Sequence, residues 1–106
     1  MKIALDESVP DQMLRAFPGH EVCLAKKMGW GGISNGDLLA AAETAGFDCL
    51  VIADKNLRYQ QNLKGRRLAI IELWTNHRAT LENHLPHIAA ATEGLVPGEY
   101  RVVAKP

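Results

Sequence analysis

Two aspartates directly follow short apolar runs, and these are the residues of the chain best placed for chemistry. Asp6 follows residues 2–5, and Asp54 follows residues 50–53. Apolar runs without polar alternation predict buried parallel strands, and ligands of open α/β sheets bind beyond the carboxyl ends of such strands. If the two strands are adjacent, both carboxylates meet at one edge. Asp37, at the start of the helix that feeds the second of these strands, can approach the same edge.

A cluster of these three carboxylates predicts a metal site. Like charges at close range repel one another unless a cation neutralises them, so the cluster implies a bound divalent ion. Hard oxygen ligands favour Mg²⁺ or Mn²⁺. Such a site suits phosphodiester hydrolysis, in which a metal activates water and stabilises charge on the phosphate. Lys55 and Arg58, close behind Asp54, are then placed to hold a phosphate backbone.

Each of these residues also has a purely structural interpretation. Asp6 and Asp54 can cap the helices that follow them. Asp37 can stabilise a helix N-terminus through the helix dipole. Lys55 and Arg58 can lie on a solvated helix face. The residue types alone leave both interpretations open.

The composition indicates an ordinary globular protein with one domain over residues 1–106. Hydrophobic residues make up 47% of the chain, and 12 basic residues balance 12 acidic ones, which argues against strong non-specific binding of nucleic acid. Cys23 and Cys49 lie in apolar runs without metal-ligand spacing, which predicts reduced thiols. No apolar run approaches the roughly 20 residues that cross a bilayer. We therefore expect a cytoplasmic protein without membrane association.

Short apolar runs alternate with helical patterns along the chain. This alternation predicts an α/β fold, a three-layer domain with a mostly parallel central sheet of about four to five strands flanked by helices. Ser34 is the expected cap of the second helix, and Pro86 marks either a kink or a break in the third. A short polar helix or turn is expected over residues 55–63. The expected strands are 2–5, 20–24, 50–53, 68–74 and, at an edge, 100–103; the expected helices are 9–17, 34–46 and about 77–93.

Several segments resemble a known family, the small PIN-like proteins of unknown function that are related to bacterial toxin ribonucleases. The resemblance covers nearly the whole chain and is most specific at its two ends. Residues 54–63 also resemble one particular subgroup of that family. The matching segments are KIALDESVP at 2–10, GHEV at 19–22, GGISNGDLL at 31–39 and IADKNL at 52–57.

The resemblance implies a PIN-like fold and a Mg²⁺- or Mn²⁺-dependent ribonuclease, a toxin of a toxin–antitoxin pair. It also implies RNA as a substrate and a small antitoxin protein as a partner, and small domains of this kind commonly form homodimers. The expected site has three acidic metal ligands, which are also the catalytic groups, and three residues that position the phosphate: Asp6, Asp37 and Asp54, then Lys55, Asn56 and Arg58.

Three residues depart from the family pattern. Asn56 replaces a frequent acidic residue, Ile52 replaces a Thr, and Ser8 replaces an Asn. Three carboxylates instead of four predict weaker metal affinity. The alternative function is therefore a catalytically weak or inactive PIN-like module that binds a protein partner or RNA, so the sequence leaves enzymatic activity open. A receiver-like domain also has an Asp at the end of a strand. It needs in addition a Lys at the end of a later strand, and no Lys directly follows the predicted strand that ends at Trp74.

Overall fold

A five-stranded, all-parallel sheet forms the centre of the fold in the computed structural model, which describes residues 1–57 and 65–106. The predicted α/β class is confirmed, and so is the edge position of the last strand. Each connection between parallel strands must cross back over the sheet, and helical segments lie in the connections that come before β3 and after β4 in the chain. In spatial order the strands are β2 (Glu21–Leu24), β1 (Lys2–Leu5), β3 (Cys49–Ile52), β4 (Ala69–Glu72) and β5 (Tyr100–Val102).

Helical segments cover both faces of this sheet and make the three layers. Side chains alternate between the faces along each strand, so Leu50 and Ile52 pack on one side of β3 while Val51 packs on the other. All four residues of β3 are buried, as expected for a strand covered on both faces. Among the residues that the structure describes, the helical segments are two 3₁₀ helices, Asp11–Arg15 and Ala25–Met28, and the α-helices α1 (Asn35–Thr44), α2 (Arg78–Glu82) and α3 (Leu85–Ala90).

The first predicted helix is shorter and more tightly wound than its apolar spacing indicated. Residues 11–15 form a 3₁₀ helix, in which the Met13 amide donates to the carbonyl of Pro10 and the Ala16 amide to that of Met13. With three residues per turn, Met13 and Ala16 share the buried side. Leu14, which the α-helical spacing placed on the apolar face, is 42% exposed.

The third predicted helix is two helices, so Pro86 marks a break rather than a kink. The Thr80 amide donates to Nδ1 of His77, which caps α2 at its start. The chain leaves helical geometry after Asn83, and α3 then begins with Pro86 in its first turn. Proline is favoured at that position because the first turn of a helix needs no N–H donor.

The second predicted helix agrees with the structure at both ends. The Asp37 amide donates to Oγ of Ser34 at 3.2 Å, and Gly46 has the left-handed φ of +82° that commonly follows a helix. The helix or turn predicted for residues 55–63 lies mostly outside the described residues. Within residues 1–57 and 65–106, no helix has the length and apolar character needed to span a membrane.

Candidate functional site

The carboxyl ends of the strands form one edge of the sheet, called the carboxyl edge below. β1 and β3 are neighbours at its centre, with Leu5 paired to Val51. Asp6 immediately follows β1, and Asp54 follows β3 after one intervening residue. The condition for the two aspartates to meet was that their strands are neighbours. This condition is fulfilled, because both aspartates follow adjacent parallel strands at the same edge.

Asp6 is held by hydrogen bonds from Ser8. The Ser8 hydroxyl donates to Oδ2 of Asp6 at 2.5 Å, and the Ser8 amide donates to the same oxygen at 3.2 Å. The Ser8 hydroxyl also accepts a hydrogen bond from the Ala53 amide at 3.0 Å. Asp6 therefore orders the turn after β1 and does not cap the 3₁₀ helix, which begins after Pro10 without a side-chain cap.

Asp54 closes a similar local turn after β3. Its Oδ1 accepts a hydrogen bond from the Asn56 amide at 2.9 Å, so one oxygen has the structural role open to any Asp in a βα loop. Asp54 and Asp6 are both half-buried. The other two oxygens, Oδ2 of Asp54 and Oδ1 of Asp6, lie outside these hydrogen bonds. Each carboxylate thus has one oxygen oriented by its turn, and no hydrogen bond from the described residues reaches the other oxygen.

Asp37 lies in the first turn of α1 and is exposed. Since α1 returns from the carboxyl edge to the start of β3, its first turn lies on the side of the sheet where Asp6 and Asp54 are found. Its amide is bonded to Ser34, as the capping interpretation requires. In the described part of the chain, no three His, Cys, Asp or Glu side chains form a group able to hold a metal ion, so the three aspartates do not form one.

The residues predicted to position a phosphate fall partly within the described chain. Lys55 and Asn56 are exposed beside Asp54, at the carboxyl edge. Arg58 lies outside the described residues. Glu7, next to Asp6, is exposed, and its Oε2 lies 3.7 Å from the position that a Cβ on Gly31 would take.

Two polar residues at the carboxyl edge were given no role in the site from the sequence. One is Ser8, whose bond to Ala53 spans 45 positions of the chain and has no local signal. The other is Glu72, the last residue of β4 and the register partner of Ile52, with only 1% of its surface exposed. A signal for Glu72 did exist, because it is the one charged residue within the apolar run at residues 68–74.

The donor set at the carboxyl edge fits a magnesium-like ion. Mg²⁺ prefers oxygen ligands, keeps several of its waters, and is commonly held by one or two carboxylates together with substrate phosphates. Asp6 and Asp54 provide two carboxylates from adjacent strands, each with one oxygen outside the turn hydrogen bonds. A pair of this kind suits a hydrated ion better than one enclosed entirely by protein ligands.

Comparisons with known proteins identify no neighbour. No family model matches the chain, and no curated protein and no solved structure matches it either. Membership of the PIN-like family therefore stays a prediction from the sequence segments that resemble it. Any function must be inferred from the carboxyl edge itself.

Proposed function

We propose that this chain is a PIN-like, Mg²⁺- or Mn²⁺-dependent ribonuclease whose metal is held by Asp6 and Asp54. Asp37, which is exposed in the first turn of α1, would contribute to the site through a bound water. The observation that carries the proposal is the junction of the two central strands at the carboxyl edge. There the Ser8 hydroxyl contacts both Asp6 and the residue that precedes Asp54. This junction brings the ends of the two strands together, and within the described part of the chain one oxygen of each carboxylate accepts no hydrogen bond.

The chain's own residues would then bind and orient the RNA phosphate. Lys55 and Asn56 are exposed directly after Asp54 and supply a positive charge and an amide donor. Arg58 is assigned the same role from the sequence. When bound, a divalent ion supplies positive charge to the phosphodiester and activates water for attack. With no net charge on the chain, attraction of RNA has to be local rather than general.

The wider biological setting is part of the same proposal. The PIN-like resemblance assigns the chain to a toxin–antitoxin pair, with a small antitoxin protein as its partner and a cytoplasmic location. Homodimers are common among such small domains. Co-purification of the chain with the product of an adjacent small gene would test this assignment, and size measurement of the purified chain would test dimer formation.

Thermal unfolding with and without millimolar Mn²⁺ tests the metal site. We expect Mn²⁺ to raise Tm of the wild type, since a ligand at 100 times its Kd stabilises the folded state by about 2.7 kcal/mol. The rise should disappear in Asp54→Asn and Asp6→Asn. Asp48→Asn is the matched control, because Asp48 precedes β3 at the opposite edge and also accepts one backbone hydrogen bond. A wild type that does not respond to Mn²⁺ would remove the basis for the nuclease.

Cleavage of single-stranded RNA tests the activity. We expect cleavage that needs Mn²⁺ or Mg²⁺, stops with a chelator, and falls at least about 100-fold in Asp54→Asn, since charge stabilisation at a reacting phosphate is a large catalytic contribution. Asp48→Asn, purified in the same way, should cleave like the wild type. Cleavage that persists equally in Asp54→Asn would indicate a contaminating nuclease.

The binding module is the second candidate, and one observation favours it. The described residues hold no three-ligand group, and the Asp37 carboxylate is exposed on α1. A site with two carboxylates can bind RNA through a bridging ion without cleaving it efficiently. Mn²⁺-dependent stabilisation and RNA binding without cleavage would favour this module over the nuclease.

A further inference from the structure

The hydrogen bonding between β1 and β3 changes partner at the carboxyl edge. The last regular rung is the bond from the Asp6 amide to the carbonyl of Val51, at 2.9 Å. Backbone groups of a strand face alternate sides, so the Ala53 amide, two residues after Val51, also faces β1. If the ladder continued, the Ala53 amide would donate a hydrogen bond to the carbonyl of Asp6. That carbonyl instead accepts from Val9, because the chain turns there, and the Ser8 hydroxyl accepts from Ala53 in its place.

The Ser8 hydroxyl therefore connects the ends of β1 and β3, and the donor and acceptor of each of its two hydrogen bonds are fixed. A hydroxyl has one proton, and the Ala53 amide must be a donor, so the Ser8 proton points to Oδ2 of Asp6. A hydrogen bond to an ionised carboxylate is shorter and stronger than a neutral one. The Ser8 amide alone would still form the local turn. What the hydroxyl adds is the connection to β3 and thus to Asp54.

We infer that Ser8 is a positioning residue for the carboxylate pair. Its hydroxyl holds Oδ2 of Asp6 within the turn, leaves Oδ1 for a ligand, and fixes the end of β3 so that Asp54 lies beside it. Ser8 does not touch the ion or the substrate. The inference rests on the proposed metal site, since positioning has a consequence only if both carboxylates bind one cation.

The test compares Ser8→Ala with Ser8→Thr, which restores the hydroxyl. Thr92→Ala is the matched control. Thr92 lies just after the end of α3, is also half-buried, and its hydroxyl donates one hydrogen bond to the carbonyl of Ala89. The first readout is hydrogen exchange of the Ala53 amide without metal. The second is the Mn²⁺ concentration that gives half of the Tm rise in each variant.

In Ser8→Ala, the Ala53 amide should exchange at least about tenfold faster than in the wild type. The Mn²⁺ concentration that gives half of the Tm rise should be about tenfold higher, which corresponds to a loss of about 1.4 kcal/mol in the free energy of Mn²⁺ binding. Ser8→Thr should restore both values, and Thr92→Ala should change neither. If Ser8→Ala does not fold, Ser8→Cys keeps a similar shape with a weaker hydrogen-bonding group and should change both readouts in the same direction.

Two results would overturn the inference, and they differ in what they say about the function. Mn²⁺ binding that is unchanged in Ser8→Ala, or in Ser8→Cys if Ser8→Ala does not fold, would remove the positioning role and leave the proposed metal site standing. Absence of any Mn²⁺ response in the wild type would remove the proposed function and the positioning role together. In the first case, faster exchange at Ala53 would show that the hydrogen bond from Ala53 to Ser8 has a purely structural role.

Discussion

The Tyr100 hydroxyl donates a 2.6 Å hydrogen bond to Oε1 of Glu72 and thereby joins the edge strand β5 to the interior strand β4. Tyr100 is the register partner of Ile70, and Ile70 and Glu72 lie on the same face of β4. Glu72 is the one charged residue among the buried described residues. The contact therefore fixes a carboxylate inside the sheet, close to the carboxyl edge.

Tyr100→Phe should lower the free energy of unfolding by about 1.5–3 kcal/mol, the usual range for a hydrogen bond to a charged group. Urea unfolding monitored by circular dichroism measures this change. A double-mutant cycle with Glu72→Gln isolates the pair, and we expect a coupling energy above about 0.5 kcal/mol because the two side chains are in contact. Strictly additive effects would show that Tyr100 stabilises β5 by packing alone.

Gly98→Ala should be more destabilising than Gly32→Ala, although both glycines have a left-handed φ near +80°. A Cβ on Gly98 would lie 2.7 Å from the carbonyl oxygen of Arg66, whereas one on Gly32 meets nothing within 4 Å. Gly32→Ala should cost about 1 kcal/mol from φ alone. Gly98→Ala should cost at least about 1 kcal/mol more, because the turn before β5 must shift. Urea unfolding of the two variants checks the difference, and equal costs would contradict the close approach.

Burial raises the pKa of the Cys49 thiol from its ordinary 9.0 to about 12, and the nearby charge of Asp48 adds to the rise. The unfolded chain therefore loses this proton first as pH rises. The stability that Cys49 contributes is complete below pH 9 and is lost progressively up to about pH 12. Between pH 8.5 and 10 the loss should reach about 1 kcal/mol.

Cys49→Ala provides the control for this pH dependence, since other groups also titrate in the alkaline range. Urea unfolding of the wild type and of Cys49→Ala at pH 8.5 and pH 10 isolates the thiol. The stability advantage of the wild type should shrink by about 1 kcal/mol at the higher pH. A constant difference between the two proteins would mean that Cys49 ionises as easily when folded as when unfolded.

Features that depend on neighbouring residues were predictable from the sequence. The strand at residues 2–5 contains three consecutive apolar residues at 3–5, and the start of α1 follows from Ser34, whose hydroxyl accepts a hydrogen bond from the Asp37 amide three positions away. Even the meeting of Asp6 and Asp54 at one edge was predicted, on the condition that β1 and β3 are neighbours. Local chemistry fixes such elements because their partners lie within a few positions.

Other features were decided only by the tertiary structure. The apolar spacing near Met13 predicted an α-helix, whereas the segment is a 3₁₀ helix that buries Met13 and Ala16 in the core. The burial of Glu72 depends on the edge strand that covers it. The hydrogen bond from Ala53 to Ser8 requires two strand ends 45 positions apart to meet at one register. Sequence by itself determined which groups are available, and the order and register of the strands decided which of them touch.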